Sequence, residues 1–108
     1  MSIKVERNYL EISSLKDLKA SFPPPDDCII DSSNQADFQI NKFFYKQVGK
    51  EHQWTDRLAW TDEKWINYIS DQKVKTYILK KNNDLAGYFE LIFHKDKNET
   101  EIAYLGLL

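Results

Sequence analysis

Cysteine is nearly absent from the chain. One residue in 108, Cys28, carries a thiol, and a lone thiol forms no internal disulfide. Glycine is scarce as well, at Gly49, Gly87 and Gly106 only. No apolar run approaches the ~20 residues of a membrane span. The opening MSIKVERNYLEI lacks the apolar core of a secretion signal. Neither sign of charge dominates: 15 basic and 17 acidic side chains are interspersed, for a net charge of -2. That balance leaves no electrostatic footprint for nucleic acid or an anionic membrane. These absences lead to the expectation of a soluble, cytoplasmic protein with neither partner.

What is present is apolar and aromatic, at 42% and 14% of the residues, as in a folded domain rather than a disordered chain. A single domain over residues 1–108 buries roughly 65% of the surface its unfolded chain exposes, enough for a core without staples. The last third, from Lys73 to Leu108, predicts three antiparallel strands. Val74 to Leu79 is rich in β-branched and aromatic residues. Asn82-Asn83-Asp84 is turn chemistry. In the second strand, Ala86 to His94, alternation puts Phe89, Leu91 and Phe93 on one face and Tyr88, Glu90, Ile92 and His94 on the other. Lys95 to Asn98 is the next turn. In the third strand Ile102, Tyr104, Gly106 and Leu108 alternate with Glu101, Ala103, Leu105 and Leu107; a slip of one residue exchanges these faces. Leu105 to Leu108 reads as an apolar open edge, and such edges are usually paired or hidden.

Upstream, Ile3 to Ile12 alternates in part and predicts a first strand. Ser13 to Lys19 suits a short helical turn, and Pro23-Pro24-Pro25 interrupts regular structure. Cys28-Ile29-Ile30 adds an apolar patch. A helix is expected over 33–48, with Ser32 and Gln35 as a capping box and Gly49 as a left-handed C-terminal cap. Lys50 to Trp60 reads as an irregular loop. Thr61 then caps a second helix with Asp62 and Glu63 in its first turn and an apolar stripe of Trp65, Ile66 and Ile69. The expected class is α+β: an antiparallel sheet, strand 1 plus a three-stranded C-terminal meander, packed by two helices.

This order, with Trp54-Thr55-Asp56-Arg57-Leu58-Ala59-Trp60-Thr61-Asp62-Glu63-Lys64-Trp65, then Ala86-Gly87-Tyr88-Phe89-Glu90-Leu91, then Glu101 to Leu108, resembles the N-terminal half of the GNAT superfamily of acetyl-CoA-dependent N-acetyltransferases. The resemblance implies a single truncated GNAT-like domain. In the family the last strand runs into a glycine-rich loop and a helix whose backbone N–H groups hold the coenzyme A pyrophosphate. None of the three glycines here forms that motif.

The resemblance implies roles for particular residues. Glu101 stands where some members carry a glutamate base that deprotonates the amine; otherwise it is a solvated charge beside a turn. Glu90, between Phe89 and Leu91, is a second candidate base, or a structural partner for Arg57 or a lysine. Leu105, Gly106 and Leu107 match the strand whose main chain pairs with the pantetheine arm of acetyl-CoA, and are otherwise a plain edge. Trp54, Arg57 and Trp60 are candidates to line an acceptor pocket; tryptophans near a helix start are also common core anchors. His52, His94 and Cys28 carry no ligand or nucleophile pattern, and no metal site is expected.

Two functions follow. One is N-acetyl transfer from acetyl-CoA to a small amine, with the missing elements supplied from elsewhere. The alternative is a non-catalytic module that binds a complementary polypeptide or forms a homodimer through its C-terminal strand. A charge placed at Leu105 or Leu107 is expected to weaken that dimer.

Overall fold

Four strands pair in chain order into one antiparallel sheet: β1 (Cys28–Ser32), β2 (Val74–Lys81), β3 (Asp84–His94) and β4 (Glu99–Leu107). Two helices, α1 (Phe38–His52) and α2 (Asp62–Ile69), lie between β1 and β2 in sequence. This computed structural model describes residues 6, 9–19, 25–32 and 37–108. The α+β class expected from the sequence is observed.

The first strand is not where alternation put it. Of the expected strand from Ile3 to Ile12, residues 3–5, 7 and 8 lie outside the described residues. Tyr9 to Ile12 has no regular structure and is exposed, Leu10 by 94%. The strand beside β2 is Cys28–Ser32, with Ile30 opposite Leu79. Its β-branched pair, Ile29-Ile30, suits a pleated surface better than the polar-broken run upstream. The turn expected after Ser13 is a 3₁₀ turn at Leu15–Asp17, where Ser14 Oγ accepts from the Lys16 N–H at 3.2 Å.

Helix α1 begins and ends later than expected. Residues 33–36, Gln35 of the expected capping box among them, lie outside the described residues; Ser32 ends β1 instead, and the helix N-cap is Asp37, whose side chain makes no capping bond. The helix runs through Gly49 and stops at Gln53, whose φ of 57° makes it the left-handed cap. Gly49 serves a close approach instead: a Cβ there would sit 2.7 Å from the Cβ of Trp54. The first three residues of the expected loop, Lys50 to His52, are helical. Helix α2 starts as predicted. Thr61 Oγ1 accepts from the Lys64 N–H at 3.2 Å, and Asp62 and Glu63 occupy the first turn, where the helix dipole favours anions. Trp65 and Ile69 are buried; Ile66 is largely exposed.

The β2–β3 hairpin turns on Asn82 and Asn83, both with positive φ, as a two-residue hairpin matched to strand twist requires. The β3–β4 pairing contains an irregularity. Glu90 faces Tyr104 and Leu91 faces Ile102, so Ala103 is an extra residue on β4. Regular alternation kept Ile102 on the face of Tyr104. The bulge instead sets Ile102 opposite Leu91 and brings Glu101 opposite Ile92.

One face of the sheet meets the helices. Phe44 and Val48 of α1 pack on Ile78 and Tyr88, and Phe44 stacks on Tyr88 at 4.9 Å. Tyr45, Trp65, Ile69 and Val74 form the adjoining cluster. Gly106 belongs to this layer, because a Cβ there would collide with Val48 Cγ1. The opposite face is also apolar. Tyr77 stacks on Phe89 at 5.0 Å, and Phe89 is paired with Leu105. There Ile30, Ile102, Leu105 and Leu107 are all more than half exposed.

Candidate functional site

The most heavily built polar group is centred on Arg57. This residue follows α1 in a turn and sends its side chain into the layer between helices and sheet. Its backbone N–H donates to the Tyr45 hydroxyl at 2.8 Å. Nη1 donates to Glu90 Oε1 at 2.9 Å and Nη2 to Glu90 Oε2 at 2.8 Å, a two-pronged pairing. Nη2 also donates to the Tyr68 hydroxyl, which in turn donates to Glu90 Oε2 at 2.7 Å. Five rings surround the guanidinium, with centroids 4.4 Å (Tyr68), 4.5 Å (Tyr104), 4.8 Å (Trp60), 5.5 Å (Trp65) and 5.8 Å (Tyr45) away. Their negative faces stabilise the cation.

Charge and burial work against each other here. Burial alone lowers the Arg57 pKa, but the bonds and charge of Glu90 outweigh it and the net shift is upward. Burial raises the Tyr68 pKa, and the Glu90 carboxylate adds to the rise. Tyr88 is raised chiefly by burial as well. A folded pKa above the unfolded value of ~10 means that the unfolded chain loses these protons first. The contribution is therefore complete below pH ~10 and is lost as pH rises through the folded values. Alkaline titration should show tyrosinate absorbance from these two residues appearing together with loss of the circular-dichroism signal, not before it.

Glu90, as placed, is the partner of Arg57. It is 0% exposed and both carboxylate oxygens accept from donors, so neither is directed at solvent. Trp54, Arg57 and Trp60 are brought together, but as packing: Trp54 lies edge-on to Tyr104 at 4.7 Å, and Trp60 to Trp65 at 4.9 Å. Two buried polar atoms, Asn41 Oδ1 and the Tyr88 hydroxyl, have no hydrogen-bond partner among the described residues.

Glu101 is exposed near the start of β4, where its Oε1 lies 2.9 Å from His94 Nε2. An open depression between the start of β2 and the end of β3 is lined by Asp71, Gln72, Lys73, Phe93, His94, Lys95 and Asp96, with no residue of β4. Leu105, Gly106 and Leu107 lie at the other end of β4, which has β3 on one side and no described strand on the other. Gly106 is filled from the helix side by Val48; Leu105 and Leu107 are 62% and 67% exposed. Among the described residues, no group of three or more His, Cys, Asp or Glu is placed to hold a metal ion, and no helix is long and apolar enough to cross a membrane.

Sequence reasoning missed Tyr45, Tyr68 and Tyr104 around Arg57 and the pairing of His94 with Glu101. Tyr68 was legible as the residue three after Trp65 on α2, hence on nearly the same side of the helix. The His94–Glu101 pairing was not legible, because it depends on the bulge. Comparison with protein-family models, with curated proteins and with solved structures finds no match to this chain.

Proposed function

We propose that the chain is the acyl-donor side of a GNAT-type N-acetyltransferase, acting in acetyl transfer from acetyl-CoA to an amine. Further elements, in this polypeptide or another, supply the pyrophosphate contacts. One observation carries the reading: among the described residues β4 is an edge strand with no neighbour beyond it, and its Leu105 and Leu107 are exposed, at the positions where the resemblance places the pantetheine arm. An edge strand offers backbone N–H and C=O groups to an amide-bearing arm as it does to a peptide. The strand order and the two helices on one face agree with the resemblance as well.

The 108 residues hold no phosphate loop, and a hydrogen bond to a charged group contributes roughly 1.5–3 kcal/mol. Without several of these, the arm alone supports a Kd of the order of 1 mM. Calorimetric titration should give that value for acetyl-CoA. S-acetylpantetheine should bind within about tenfold of it, since tenfold is only ~1.4 kcal/mol. Absence of binding at ~10 mM, where ~2.7 kcal/mol would still register, contradicts the proposal.

A second reading is favoured by the exposure of Leu105, Leu107 and Ile102. It makes the chain a non-catalytic module that binds a second copy or a complementary polypeptide through β4. Light scattering separates the two: a dimer without cofactor affinity supports the second.

A further inference from the structure

We infer that Tyr9–Ile12 is a strap that closes over the outer face of the sheet, seating Leu10 and Ile12 on Phe89, Leu105 and Leu107. The inference is independent of the acetyl-transfer reading, since a strap on the face leaves the main-chain edge of β4 free. It begins with two apolar surfaces that each lack a cover. On the outer face Ile30 pairs with Leu79, Tyr77 with Phe89, and Phe89 with Leu105, so one apolar surface crosses all four strands. Upstream, Tyr9, Leu10 and Ile12 are 87%, 94% and 58% exposed. A contiguous apolar patch marks a docking surface, and burial of a leucine and an isoleucine drives the two together. In this structure the strap stands open.

The tether fits the distance. The chain enters β1 through a turn in which the Cys28 N–H donates to the Pro25 carbonyl at 3.0 Å. The Asn82 N–H of the β2–β3 hairpin donates to the Asp27 carbonyl at 2.8 Å. The strap is therefore anchored at the hairpin end of the sheet, the end that carries Leu79 and Leu107. Crossing from β1 to β4 covers about 14 Å, three strand spacings. Seven residues ahead of the turn, 18–24, reach up to about 23 Å when extended, and residues 13–17 add more.

Charge selects the strap over a second copy. Beyond the hairpin end, where Lys81 pairs with Asp84, Lys75 is the charged residue of β2 on this face, and it is exposed. A lysine stem lies along apolar surface and keeps its head in water, where Glu11, between Leu10 and Ile12, meets it. Two copies packed face to face would bring two Lys75 ammonium groups into one interface, and like charges there cost affinity. A closed strap covers Leu105 and Leu107, the surface that a second copy would use, so it competes with that partner from within the chain.

The test is methyl NMR of the whole chain, in a mixture of isotope-labelled and unlabelled molecules. Overhauser contacts from the Leu10 and Ile12 methyls to those of Leu105 and Leu107 are expected within one molecule and unchanged on dilution. Leu10, Glu11 and Lys75 are exposed in the open arrangement, so variants there leave the fold intact. Leu10→Lys should reduce the closed population about tenfold, the worth of one buried leucine side chain, and move the Leu105 and Leu107 methyl shifts with it. Glu11→Lys should weaken closure, and adding Lys75→Glu should restore it. Contacts found only between labelled and unlabelled molecules overturn the inference in favour of a second copy. So does a native chain without these contacts, or Leu105 and Leu107 shifts that Leu10→Lys leaves in place. Failure of Lys75→Glu to restore closure overturns it as well.

Discussion

Glu90→Leu should destabilise the protein by about 3–5 kcal/mol, the usual cost of breaking a buried ion pair by removing one partner. The reason is what remains. Arg57 is 7% exposed and always charged, and its guanidinium loses both carboxylate bonds at once. Tyr68 also loses the acceptor of its hydroxyl. The aromatic rings moderate the loss but offer no hydrogen-bond acceptor of equal strength. Against a total stability of ~5–15 kcal/mol, the single variant should lose ~10–20 °C in Tm. Adding Arg57→Met to Glu90→Leu should recover much of this, because an apolar pair of similar volume removes the uncompensated charge. Denaturant unfolding of the two single variants and the double variant measures the coupling. A double variant as unstable as the sum of the singles would contradict the account.

Trp65→Ala should cost about 3–5 kcal/mol, as large aromatic truncations in cores do. Trp65 is 1% exposed and joins three groups: it meets Tyr45 edge-on at 5.8 Å, Trp60 at 4.9 Å, and the Arg57 guanidinium at 5.5 Å. The cavity would open beside a buried charge, so collapse of the apolar wall is limited by the Arg57–Glu90 geometry. Trp65→Phe keeps a ring face toward Arg57 and should cost much less, about 1–2 kcal/mol. Chemical denaturation midpoints order the two. Equal losses would show that the ring's contact with the cation is not what the site uses.

The C-terminal meander was legible because strand alternation and turn residues agree there. Asn82-Asn83 carries its own backbone preference, and Thr61 its own cap. Three features were not legible, each for a physical reason. The strand at Cys28–Ser32 is short and its Ile29 and Ile30 stay about half exposed, so its pattern is a bare apolar patch. Gly49 reads as a cap by residue type, but the contact that requires a glycine there comes from Trp54, five residues on. The bulge at Ala103 leaves no mark in local sequence, and it decides which face Glu101 joins. Of the candidate site residues, Arg57 and Glu90 pair in the buried layer, with Trp60 over the guanidinium and Trp54 packed on Tyr45 and Tyr104, both tryptophans partly buried. Glu101 and the Leu105–Leu107 segment lie apart along β4. The sequence leaves Glu90 as either a base or a partner for Arg57, and the structure pairs it with Arg57.

The most direct measurement is amide-resolved NMR of the chain titrated with acetyl-CoA. The account predicts saturable shifts at Tyr104 to Leu107 on the open edge of β4, with the other edge strand, Cys28–Ser32, unmoved. Shifts confined to β1, or none on either edge, would contradict it.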